Sequence, residues 1–187
     1  MTVMNRRDAL KSVALMMGGT MIGATAILTG CAPENQIKDL NFSPEDLAFL
    51  DEIGETIIPT TDTPGAKATK IGEFMQMMVK DTYDAEQQQA FIDGLNTIRK
   101  EFKAEKGSDF IQASAEDRLA YLNGLQEQFK NSGEERKPII INMLRDLTVL
   151  GYFTSEIGAS QALRYVEVPG RYDGCMDYQK GDKAWAI

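Results

Sequence analysis

From residue 43 onward, apolar residues in this chain recur at helical spacing, and no run of Val, Ile or Thr alternates with polar residues as a half-buried strand would. That rhythm restricts the fold to packed helices. The stop and start signals between the apolar runs divide them into about five helices. Ser43 is the N-cap of the first, with Pro44 at the first helical position and Glu45 and Asp46 facing the positive helix end. Leu47, Leu50, Ile53, Gly54 and Ile57 form its stripe, and Pro59 stops it. A loop rich in proline and threonine, 59–66, follows.

The second helix is expected from about Thr69 to Thr82, with Ile71, Phe74, Met75, Met78 and Val79 on one side; Met75, Met77 and Met78 read as core packing, with a partner-facing patch as the alternative. Asp84 and Gln87 make a capping box for the third. Its core positions are Phe91, Leu95, Ile98 and Phe102, Gly107 is its stop, and Arg99, Lys100, Glu101 and Lys103 read as a solvated face. Ser114 caps the fourth, whose core candidates are Leu119, Leu122, Leu125 and Phe129. The fifth begins at Pro138 and is apolar on most sides, from Ile139 to Phe153, so it is expected at the centre of the bundle. Within it, Arg145 and Asp146 are expected to pair with other helices at the rim.

The chain contains no histidine. That removes the commonest general base and the commonest metal ligand. Two cysteines cannot supply a Cys-x-x-Cys-His haem attachment without it. Neither a Gly-x-Gly-x-x-Gly nor a Gly-x-x-x-x-Gly-Lys-Ser/Thr motif occurs. No catalytic residue, cofactor site or metal site is therefore expected in this chain. The net charge of -8 argues against nucleic acid as a partner, because phosphates repel an acidic chain.

The first thirty residues differ from the rest. Asn5-Arg6-Arg7-Asp8-Ala9-Leu10-Lys11 resembles a twin-arginine export consensus, with Arg6 and Arg7 as the recognised pair. An uncharged run, Ser12 to Gly30, follows; its glycines and threonines make it a poor membrane span and a better export signal. Leu28-Thr29-Gly30-Cys31 resembles a lipobox, in which Cys31 takes lipid and becomes the new N-terminus. The expected organisation is a twin-arginine lipoprotein signal peptide at 1–30, a tether at 31–42, a helical bundle at 43–163 and an extended partner-binding tail at 164–187. The expected location is periplasmic, held to a bacterial membrane by lipid on Cys31. The twin-arginine route carries folded proteins, commonly with a cofactor already bound. A chain with no cofactor site that uses it is expected to carry a cofactor-bearing partner.

The tail combines glycine, arginine and aromatic side chains. Arg164, Tyr165, Pro169, Gly170, Arg171, Tyr172, Asp173, Cys175 and Trp185 are its candidate partner contacts, being largely of the types enriched at interface hot spots. A strap over its own bundle is the competing reading. If Cys31 is lipidated, Cys175 is either a buried thiol, the preferred reading, or a bridge across a subunit boundary.

Three stretches carry a family resemblance: the twin-arginine leader, Leu50 to Ala66 with its Glu-Thr-Ile-Ile-Pro and Thr-Asp-Thr-Pro-Gly-Ala segments, and Gly151-Tyr152-Phe153-Thr154-Ser155-Glu156-Ile157-Gly158 continuing through Leu163-Arg164-Tyr165 to Pro169–Cys175. In these the chain resembles the gluconate 2-dehydrogenase subunit 3 family, small subunits of membrane-bound, flavin-dependent sugar dehydrogenases. The resemblance implies a non-catalytic subunit. Its partner would be a large FAD-dependent flavoprotein of the GMC type, which oxidises a sugar or sugar acid and passes electrons to a cytochrome c subunit or another acceptor. The small subunit would help the flavoprotein mature and supply its export signal.

Two other readings compete. One is a stand-alone lipoprotein that binds a periplasmic ligand in an apolar pocket. The other is an enzyme using Asp51, Glu52, Glu55 and Asp62 as acid and base groups, of which Asp51 and Glu55 share a helix face.

Overall fold

The computed structural model describes residues 40–132, 140–168, 170 and 174–186. The expected leader and most of the expected tether lie outside them. Five α-helices carry the described chain: α1 Pro44–Ile57, α2 Ile71–Thr82, α3 Ala85–Lys106, α4 Ala115–Ser132 and α5 Ile140–Thr154. Short 3-10 turns, Ala66–Thr69 and Phe110–Gln112, precede α2 and α4. After α5 come a π-helical turn, Gly158–Ala162, and two short strands, β1 Arg164–Tyr165 and β2 Trp185–Ala186. The protein is mostly helical, as the periodicity requires.

Local signals set the helix ends. Ser43 Oγ accepts from the Asp46 amide at 3.1 Å while the Asp46 carboxylate accepts from the Ser43 amide at 2.9 Å. Asp84 and Gln87 make the same reciprocal pair at α3. Gly107 ends α3 at φ 72, a left-handed conformation that costs glycine little. Ser114 Oγ accepts from the Asp117 amide at the start of α4.

α2 starts two residues later than Thr69. Lys70 turns to φ 55 and offers no side-chain cap. The cap comes from another helix: Asp51 of α1 accepts from the Gly72 amide at 2.8 Å. The far end of α2 is served similarly. The fully buried Gln88 donates from Nε2 to the carbonyls of Val79 and Lys80, which helix geometry leaves without partners.

The core gathers Phe49, Leu50 and Ile53 of α1, Ile71, Met75 and Val79 of α2, four α3 side chains, and Leu144, Leu147 and Tyr152 of α5. Its aromatic end is an edge-to-face chain in which Phe102 meets Phe110 and Tyr121, and Phe110 meets Phe49. Leu40 is buried and the Phe42 ring lies 6.1 Å from Phe91, so packing begins ahead of Ser43, inside the stretch expected as a tether.

Several assignments of faces need correction. Phe49 is only 1% exposed although the expected stripe omits it, and Leu47 is half-buried. In α4, Leu119 is 48% exposed and Tyr121 takes its place inside, edge to face with Phe102. Met77 is exposed, whereas Met75 is buried. Arg99 is not on a solvated face: its guanidinium lies 4.5 Å over the Phe49 ring and 2.6 Å from Asp46 Oδ1. Arg145 and Asp146 pair with each other at 2.9 Å rather than with other helices. α5 packs on α1 to α4, but one of its faces is left open.

Candidate functional site

The stretches Leu50–Ala66 and Gly151–Gly158 are separated by most of the bundle in sequence, yet they meet in space. The Tyr152 hydroxyl, on α5, donates to the Pro64 carbonyl at 2.8 Å and lies 3.4 Å from Thr63 Oγ1. Glu55 of α1 organises the same loop from the other side. Its carboxylate accepts from the Thr60 amide at 2.8 Å, the Thr60 hydroxyl at 2.7 Å and the Lys67 amide at 3.0 Å. Gly65 passes so close to that carboxylate that a Cβ would collide with it. The Ala66 amide donates to Ile58 and closes the loop.

Small residues let the helices beneath approach closely. A Cβ at Gly151 would lie 2.5 Å from Ile71 Cδ1, and one at Gly54 would collide with the same isoleucine. At the end of α5, Gly158 passes directly over the Tyr152 carbonyl, where no Cβ fits. The two recognisable stretches therefore build one rigid junction of α1, α2 and α5. Its product is a fixed exit path for the chain after α5.

The acidic residues weighed as acid and base groups serve this junction. Asp51 caps α2, and Glu55 holds the loop. Glu52 is ion-paired with both Lys67 and Arg118. Burial works against ionisation of Glu52, but the hydrogen bonds from Lys67 and Arg118 outweigh it and hold the carboxyl below its ordinary value. Burial pushes Asp51 the other way, up from its ordinary value, only partly opposed by the Gly72 amide. Asp62 accepts from the Thr61 hydroxyl in an exposed turn. Among the described residues, no group of three or more metal-binding side chains could hold an ion.

The surface that follows the junction is different in character. Val149 and Leu150 stand on the outer face of α5 four and three residues before Phe153, so each adjoins it. They are 43%, 45% and 37% exposed. The chain then turns through Gly158–Ala162 into β1. The last residues return to pair with it in parallel, Arg164 opposite Trp185 and Tyr165 opposite Ala186. The Arg164 amide donates to Ala184 at 2.8 Å and the Val166 amide to Ala186 at 3.0 Å. The Arg164 guanidinium sits 4.7 Å over the Trp185 indole, and Lys183 Nζ donates to the Gln161 carbonyl.

Of the expected partner contacts, the structure thus joins Arg164, Tyr165 and Trp185 and leaves Tyr165 and Trp185 exposed. Gly170 is exposed, at φ 68. Cys175 is exposed, which corrects the expected buried thiol: it lies in a turn of the excursion between β1 and β2, where the neighbouring Met176 and Tyr178 are also exposed. Pro169, Arg171, Tyr172 and Asp173 lie outside the described residues, as do Arg6, Arg7 and Cys31. The exposed positions of α5 were missed because a run apolar on most sides reads as buried on most sides.

The described residues form a mostly helical bundle in which α5 leaves an apolar face exposed and Arg164 and Trp185 pair beside it. The chain belongs to the family described as gluconate 2-dehydrogenase subunit 3, whose model matches residues 44–170. It is accordingly an accessory subunit of a gluconate 2-dehydrogenase-like complex, with a dehydrogenase as its partner. No curated protein and no solved structure matches it.

Proposed function

We propose that this chain escorts a periplasmic FAD-dependent dehydrogenase of the GMC type through the twin-arginine route and then holds it at the membrane. The family match carries this reading, because it makes the chain a subunit beside a dehydrogenase. The leader motif at Arg6 and Arg7 supports export in the folded state. The flavoprotein would fold around its FAD in the cytoplasm, dock on this chain and cross with it. No described helix is long and apolar enough to span a membrane, so the anchor in this reading is lipid on Cys31. One acyl chain binds only weakly at about 0.8 kcal/mol per CH2, and a lipoprotein's several chains make the attachment durable.

The docking surface in this reading is the open face of α5 together with Arg164, Tyr165, Trp185 and the segment between the strands, including Pro169–Asp173 and Cys175. Aliphatic and aromatic side chains at the centre and arginine beside them match the make-up of interface hot spots. The partner supplies the flavin and the catalytic base for oxidising a sugar or sugar acid, and a cytochrome c subunit or another acceptor takes the electrons.

Cell fractionation tests the escort role. With the intact chain, flavin absorbance and dehydrogenase protein appear in the periplasmic membrane fraction. With Arg6→Lys and Arg7→Lys together, both stay in the cytoplasm; with Cys31→Ser, both are exported but soluble. A dehydrogenase that reaches the periplasm without this chain overturns the proposal.

A further inference from the structure

β1 and β2 pair in parallel, yet Arg164, Tyr165 and Trp185 are all exposed. Parallel strands are ordinarily covered on both faces, and an uncovered two-stranded pair is marginal by itself. The pairing also closes the loop from Val166 to Ala184, which costs chain entropy. Something local must therefore hold the last strand in place.

Two devices do so. The first is the turn ahead of β2. The Gln179 amide donates to the Asp182 carboxylate at 2.8 Å and the Asp182 amide donates to the Gln179 carbonyl at 3.0 Å. Gly181 takes φ 104 inside this turn, a conformation that favours glycine. The second device is the seat on β1. The Arg164 guanidinium lies 4.7 Å from the centre of the Trp185 ring and makes no ion pair among the described residues, while Lys183 Nζ donates to the Gln161 carbonyl. None of these side chains belongs to the core, so losing one shifts the balance between a closed and an open tail without unfolding the bundle.

We propose that Arg164 is a positioning residue: it seats Trp185, and with it the C-terminal strand, in the free chain, so that this part of the surface is assembled before a dehydrogenase docks. A surface assembled in advance spares the complex the cost of ordering it. The apparent affinity then falls with the fraction of chains in which this clasp is closed. The role in docking rests on the function proposed above; the clasp itself does not.

Trp185 is the only tryptophan of the chain, so its fluorescence reports the clasp directly. The test is time-resolved anisotropy of the purified full chain, followed by co-purification of the dehydrogenase. In the wild type, Trp185 should rotate mainly with the whole chain. In Arg164→Gln, the larger part of the anisotropy should pass to local motion on the nanosecond scale or faster, at an unchanged melting temperature. Gly181→Ala should do the same through the backbone alone, since a Cβ there meets nothing within 4 Å. Arg164→Lys should lie between, because an ammonium also sits over a ring but does not stack on it as a plane. Lys80→Gln, on α2, should match the wild type. Flavoprotein retained per mole of chain should fall in the order wild type, Arg164→Lys, Arg164→Gln. A wild-type Trp185 that moves locally, wild-type anisotropy in Arg164→Gln, or full flavoprotein retention by the opened variants would each overturn the proposal. A wild-type chain that retains no flavoprotein sinks the docking role, while the anisotropy alone still decides whether Arg164 seats Trp185.

Discussion

Tyr152 donates its hydroxyl to the Pro64 carbonyl at 2.8 Å, tying α5 to the loop after α1 across 88 positions of sequence. The hydroxyl belongs to a side chain that is 2% exposed, so no solvent replaces the bond if it is lost. Tyr152→Phe should cost about 1 kcal/mol, the net value of one such hydrogen bond. Urea unfolding measures that cost. Hydrogen exchange locates it, with faster exchange expected at the Gly65 and Ala66 amides, which the closed loop protects. Unchanged exchange there would mean that Tyr152 does not hold the loop.

Gly72 and Gly124 should respond in opposite directions to the same substitution. Both lie in helices, where alanine is favoured over glycine by about 1 kcal/mol. A Cβ at Gly124 meets nothing within 4 Å, so Gly124→Ala should raise stability by about that amount. At Gly72 the Cβ would sit 2.6 Å from the backbone carbonyl of Leu47, which cannot move aside without separating α1 from α2. Overpacking of this kind costs about 1–3 kcal/mol, so Gly72→Ala should be destabilising despite its better helix propensity. Thermal unfolding of the two variants side by side checks the contrast.

How much of this was legible beforehand depended on the range of the interaction. The N-cap at Ser43, the capping box at Asp84 and the stop at Gly107 were readable because their partners lie within four residues. Which face of α4 turns inward was not. Leu119 and Tyr121 are both plausible core residues locally, and the choice falls to Phe102, whose ring meets Tyr121 edge to face. The roles of Asp51 and Glu52 were equally hidden. Their partners Gly72 and Arg118 stand 21 and 66 positions away, so the sequence showed the acidic run without showing that these two carboxylates tie helices together. The aromatic tail was recognisable by composition, whereas the return of Trp185 to Arg164 depends on a parallel pairing that no local pattern announces.

Glu52 sets an expectation for acid stability. Its folded carboxyl titrates below its unfolded value, so the ionised form favours the fold. That contribution is complete above the ordinary glutamate value near 4.5 and disappears as pH falls through the lowered folded value. Asp46, with burial opposed and outweighed by its Ser43 bonds and Arg99, acts in the same direction. Asp51 acts oppositely, because its folded value is raised and its contribution fades as pH rises. Glu52→Gln should lower stability at pH 7 by about 1–3 kcal/mol, since the mostly buried Arg118 loses its counter-charge. It should also flatten the loss of stability between neutral and acidic pH. Denaturant midpoints across that range, for both proteins, measure the difference in slope.

The account rests on the open face of α5 as the place where the dehydrogenase docks, and Leu150 lies on that face. Leu150→Glu puts a charge on a side chain that is 45% exposed, so the isolated chain should unfold within about 0.5 kcal/mol of the wild type. The decisive measurement is co-purification of the tagged full chain from cells that express both subunits, read by flavin absorbance per mole of chain. The account predicts a stoichiometric flavoprotein with the wild type and at least a tenfold loss with Leu150→Glu at unchanged fold stability. Full retention of the flavoprotein by that variant, or a wild-type chain that purifies alone, would contradict it.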